Sequence, residues 1–109
     1  MAERIPDDAL VVRGGRNQPE DLRRGTGLHP SGVTGVSVEC REGKSVEELA
    51  AAIPHGQIGV TTVGAVRAAG GEVVRTTGRS THHATLTGVS PEEASRLLTP
   101  TILKAAKKP

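Results

Sequence analysis

The apolar positions of the chain fall into short clusters with two spacings, and each spacing predicts one kind of element. Leu10-Val11-Val12 is a compact run bounded by Asp7-Asp8 on one side and Arg13-Gly14-Gly15 on the other. β-Branched residues suit a pleated, half-buried surface, so residues 9–12 predict a strand with Arg13 at its end and a glycine turn behind it. From Val33 to Cys40 the pattern alternates with period two, Val36 and Val38 on one side and Ser37 and Glu39 on the other. Gln57-Ile58-Gly59-Val60 and Glu72-Val73-Val74-Arg75 read as shorter strands. In His83-Ala84-Thr85-Leu86-Thr87, Ala84 and Leu86 point inward and the hydroxyls outward.

The other spacing is three to four. Pro19-Glu20-Asp21-Leu22-Arg23-Arg24-Gly25 has Pro and acids first, bases last and Gly behind, the order a helix dipole favours. Ser45-Val46-Glu47-Glu48 is a capping box, with Val46, Leu49 and Ile53 on one face and Pro54 as the stop. Thr61 or Thr62 caps a third helix carrying Val63 and Val66 and ending at Gly70-Gly71. Ser90-Pro91-Glu92-Glu93 starts a fourth, with Ala94, Leu97 and Leu98 as its stripe and Pro100 as its end. The polar residues 76–81 read as a mobile loop, and residues 1–6 and 104–109 as flexible termini. The fold expected is one compact α+β domain over residues 1–109. It has a mixed or antiparallel sheet of about four to six short strands and three or four short helices.

Composition changes this picture in three ways. The 109 residues contain no Phe, Trp or Tyr, so the core is built from Val, Ile, Leu and Ala. The same absence removes the stacking platforms on which single-stranded nucleic acid is usually held. A net charge of +2 does not by itself call for a nucleic-acid partner, and the basic residues of the tail read as a solvated terminus. Cys40 is the one cysteine, so no internal disulfide forms; with no apolar N-terminal segment, this predicts a cytoplasmic protein. No run approaches the roughly 20 apolar residues of a membrane span, and no membrane partner is expected.

Candidate chemistry gathers at four places. Arg13 offers a planar fork for carboxylate or phosphate, and Gly14 lets a ligand approach the backbone closely; the alternative is an ion pair with Asp7, Asp8 or Glu20. His82-His83 places one imidazole on each side of a strand, and His83 shares its side with Thr85 and Thr87. An imidazole titrates near neutrality, which suits a general acid or base. Two adjacent histidines without a spaced partner predict no metal site. Thr61-Thr62 reads mainly as a helix cap, next to which an anion could sit. Ser37 matters if its face meets Arg13. Phosphate-loop, dinucleotide-fingerprint, nucleophile-elbow and Cys-x-x-Cys motifs are absent.

Three pieces in order carry a resemblance: residues 8–15 (DALVVRGG), Gly25-Thr26-Gly27-Leu28, and Gly35-Val36-Ser37-Val38. Together they resemble the opening of small bacterial ADP-ribosyltransferase-fold toxins. The resemblance implies a nicotinamide dinucleotide (NAD) site in which Arg13 holds phosphates or ribose and Ser37 braces the ribose. It also implies a late-strand catalytic glutamate, for which Glu72 is the candidate, and a cognate antitoxin as partner. Gly59-Val60-Thr61-Thr62-Val63-Gly64 with His83-Ala84-Thr85-Leu86-Thr87-Gly88 is similar to small uncharacterised proteins of cyanobacteria and other bacteria.

Three functions are therefore carried forward. The first is the toxin-like transferase domain using NAD. The second is a metal-independent ribonuclease toxin, with His83 as general base, Arg13 or Arg79 on the phosphorane and Thr85 orienting the phosphate. The third is a non-enzymatic immunity, antitoxin or adaptor module.

Overall fold

The computed structural model describes residues 4–28, 32–78 and 80–103. Its elements in chain order are β1 (Leu10–Gly14), α1 (Pro19–Gly25), β2 (Gly27–Leu28), β3 (Thr34–Cys40), α2 (Val46–Ala50) and β4 (Gln57–Thr62). There follow α3 (Val63–Ala68), β5 (Glu72–Arg75), β6 (His83–Thr87), α4 (Pro91–Leu98) and β7 (Ile102–Leu103). The α+β expectation holds, with four helices and a seven-stranded sheet. The strands beyond the expected range are the two-residue β2 and β7, too short to leave a period in the sequence.

The sheet order is β5-β6-β3-β1-β4-β7, with β2 against β3, and every pairing is antiparallel. Alternation along β1 sends Val11 to one face and Val12 to the other. Val11 joins Val36, Val38, Cys40, Val73, Ala84 and Leu86 under Leu22 of α1, Val63 and Val66 of α3, and Ala94 and Leu98 of α4. Val12 and Ile58 join Leu49, Ala50 and Ile53 beneath α2. Three helices thus cover one face, whereas the opposite face is covered only over β1 and β4. The β3–β6 part of that second face is left open, and this asymmetry makes room for a cleft.

The helix starts obey the sequence. Thr62 Oγ1 accepts from Ala65 N, Ser45 Oγ accepts from Glu48 N and Ser90 Oγ accepts from Glu93 N. At α1 the Asp21 carboxylate accepts from Gln18 N at 3.1 Å, which holds its pKa below the usual carboxylate range, aided by Arg24 and Arg16 and opposed by desolvation. Two expectations shift. Ile5 is a core residue, so the chain is anchored before β1, while residues 1–3 and 104–109 lie outside the described residues. The stretch after β5 is also fastened: Thr76 is buried, His83 N donates to Ser80 O, and Arg41 Nε donates to His82 Nδ1 at 2.9 Å. No helix among the described residues is long and apolar enough to cross a membrane.

Candidate active site

The open part of the sheet is the floor of a cleft of about 490 Å³. Its floor is Val12 and Gly14 of β1, Ser37 and Glu39 of β3, and His83 of β6. One wall is the chain leaving α2, from Ala52 to His55, and the other is the loop containing Thr77, Gly78 and Ser80. The antiparallel register sets Glu39 directly opposite His83 and Ser37 directly opposite Thr85. Directly opposed residues have Cβ atoms about 5 Å apart, so a carboxylate and an imidazole share one patch of floor.

Two glycines shape this space. A Cβ on Gly14 would stand 2.6 Å from His55 Cδ2 and collide with Ile53, so only glycine lets the His55 wall settle on β1. A Cβ on Gly78 would run into the His83 ring, which lies against that loop. His55 and His83 therefore flank the carboxylate, one over β1 and one on β6. Those strands are two apart in the sheet, about 10 Å.

The His83 ring is held from behind. Its Nδ1 is 2.9 Å from Thr76 Oγ1, which is also 2.9 Å from Thr85 Oγ1. Glu39 is held less fully: its Oε1, like Arg13 Nε and Asn17 Oδ1, is buried and has no hydrogen-bond partner, and of the three it is the carboxylate on the cleft floor. A buried acceptor left unsatisfied costs about 1–3 kcal/mol, an expense expected at a functional position.

Arg13 leads elsewhere. It shares the parity of Val11 and so leaves β1 on the helix-covered face. Its Nη1 donates to the Ser37 carbonyl at 2.8 Å, just past the paired residues of β1 and β3, and Nη2 lies against Gly25 at the end of α1. Burial pulls its pKa down and the Asp21 carboxylate pulls it back up, though arginine stays a cation in either case. Arg13 and the Ser37 hydroxyl are thus on opposite faces, and what Arg13 braces is the diverging end of two strands. Arg13 and Gly14 both border the cleft all the same. Glu72 lies at the far edge of the sheet, paired with Arg67 at 2.8 Å. Thr61 and Thr62 are at the other end of β4, where Thr62 caps α3. Arg79 lies outside the described residues.

Of the sequence-predicted set, Arg13, Gly14, Ser37 and His83 border this one cleft, although the Arg13 guanidinium turns away to the Ser37 carbonyl, and the structure adds Glu39 and His55. Glu39 had a legible signal, since it shares the polar parity of Ser37; the missing step was the pairing of β3 with β6. His55, in a loop after Pro54, had none. Among the described residues no three of His, Cys, Asp and Glu lie close enough together to hold a metal ion. Compared with known protein families, curated proteins and solved structures, the chain matches none.

Proposed function

We propose that the protein is a metal-independent ribonuclease whose acid–base groups are His83 and His55, with Glu39 beside His83. The observation that carries this reading is the register pairing of Glu39 with His83 on the floor of a cleft whose opposite wall holds a second imidazole. RNA cleavage without a metal needs two proton-transfer groups on either side of one phosphodiester. His83 takes the proton of a ribose 2′-hydroxyl as its oxygen attacks phosphorus. The P–O5′ bond breaks, and His55 gives a proton to the departing 5′-oxygen. The products are a 2′,3′-cyclic phosphate and a free 5′-hydroxyl.

The other groups have parts in the same step. The Glu39 carboxylate balances the charge of the imidazolium formed at His83, and the Ser37 hydroxyl on the floor can donate to a phosphate oxygen. Val12, Ala52, Ile53 and Pro54 form an apolar flank for the nucleoside. Arg13, the anion ligand of the toxin-like transferase alternative, borders the same cleft as Ser37, but its guanidinium is engaged by the Ser37 carbonyl on the helix-covered face.

The test is incubation of single-stranded RNA with the protein in buffer containing a chelator. Cleavage is expected, and a substrate carrying a 2′-deoxy nucleotide at each position should remain whole. RNA left intact by excess protein overturns the proposal.

A further inference from the structure

We infer that Thr76 and Thr85 are positioning residues for His83: a buried two-hydroxyl relay that engages Nδ1 in each protonation state and so keeps Nε2 as the nitrogen for chemistry. This rests on the reading of His83 as the proton-transfer group. Thr76 Oγ1 sits between His83 Nδ1 and Thr85 Oγ1, 2.9 Å from each. Thr76 is 7% and Thr85 2% exposed, so bulk water does not replace either hydroxyl. The backbone fixes the arrangement as well. β5 pairs with β6 through Val74↔Thr85 and Arg75↔Ala84, and Thr76 N reaches His83 O one step further on.

A hydroxyl can donate one proton and accept others, and this makes the relay reversible. With Nε2 bare as the base, Nδ1 carries the proton and donates to Thr76, which donates on to Thr85, and the same bonds persist in the imidazolium once Nε2 has taken the substrate proton. In the other neutral tautomer, with the proton on Nε2, Thr85 donates to Thr76 and Thr76 to Nδ1. The ring keeps its partner in every state without moving. A ring fixed in this way meets a substrate through one nitrogen in one orientation, which is the condition for efficient proton transfer. A valine at position 76 would fill the same space and could do neither.

The experiment compares wild type with Thr76→Val and Thr76→Ser, using two readouts. Imidazole ¹⁵N NMR of His83 is expected to show a hydrogen-bonded Nδ1 in wild type and in Thr76→Ser. In Thr76→Val the Nδ1 signal should lose its hydrogen-bonded shift. RNA cleavage is expected to lose about tenfold in kcat in Thr76→Val with KM within about twofold, and to recover in Thr76→Ser. An unchanged His83 spectrum in folded Thr76→Val overturns the inference whether or not the protein cleaves RNA. Absence of cleavage in wild type, with the spectral change present, overturns the ribonuclease reading and leaves the relay standing.

Discussion

Replacing Glu39 should make the protein more stable while disabling it. Most substitutions in a sheet destabilise, so the expected sign is itself a test. Glu39 Oε1 is buried and unpartnered on the cleft floor, a cost of about 1–3 kcal/mol for a desolvated acceptor. Glu39→Met keeps the length of the side chain and removes that acceptor. Some of the gain is lost with the second carboxylate oxygen, and a net stabilisation of about 1–2 kcal/mol remains. With an unfolding entropy of about 2.1 cal/mol/K per residue, about 230 cal/mol/K for the 109-residue chain, this raises Tm by about 4–9 °C. Glu39→Gln serves as the control, because an amide leaves a polar atom buried in the same place and Tm should stay near wild type. The assay is calorimetric unfolding beside RNA cleavage, with both variants expected to lose cleavage. A fall of several degrees in Glu39→Met, or cleavage equal to wild type, would refute the reasoning that this carboxylate is held against stability for chemistry.

Two further outcomes separate structural arginines and carboxylates from the site. Arg13→Met removes the donor to the Ser37 carbonyl and with it a buried Nε that has no partner, so the two effects oppose and Tm should fall by less than about 4 °C. Cleavage measured well below the transition should be unchanged; its loss in a folded variant would move Arg13 into the site. Asp21 has its pKa lowered in the folded chain, first by the Gln18 N–H. Such a group contributes stability above its unfolded value of about 3.9, and that contribution drains as pH falls through the lower folded value. Asp21→Asn should therefore lower Tm at neutral pH, with the gap to wild type closing on acidification toward about pH 2. A gap that is constant across a pH series of melting curves would contradict this.

Local chemistry made most elements legible before any tertiary contact was known. Ser45, Thr62 and Ser90 act as the caps their neighbours imply, and the period-two faces of β3 point as their residues suggest; in β6 Ala84 and Leu86 face the core as expected, whereas Thr85, expected outward, is buried because Thr76 closes over it. The two-residue strands β2 and β7 escaped because their pairing is set by neighbouring strands and not by their own residues. The site was less legible than the fold. Ser37 and His83 were visible singly, but Glu39 gains meaning only from the register that sets it opposite His83. His55 reaches the cleft because Gly14, distant in sequence, leaves space above β1. Arg13 shows the converse case. Its attraction as an anion ligand came from its place before a glycine pair, while the parity of β1 turns the guanidinium toward α1 and the Ser37 carbonyl.

The most direct measurement of the central claim is ³¹P NMR of the products formed from a short single-stranded RNA in the presence of chelator. Wild type and His83→Ala are compared at equal concentration. A 2′,3′-cyclic phosphate resonance that grows with wild type and is absent with folded His83→Ala is the predicted result. Intact RNA with wild type, or the same product at the same rate from His83→Ala, would contradict the assignment of proton transfer to this cleft.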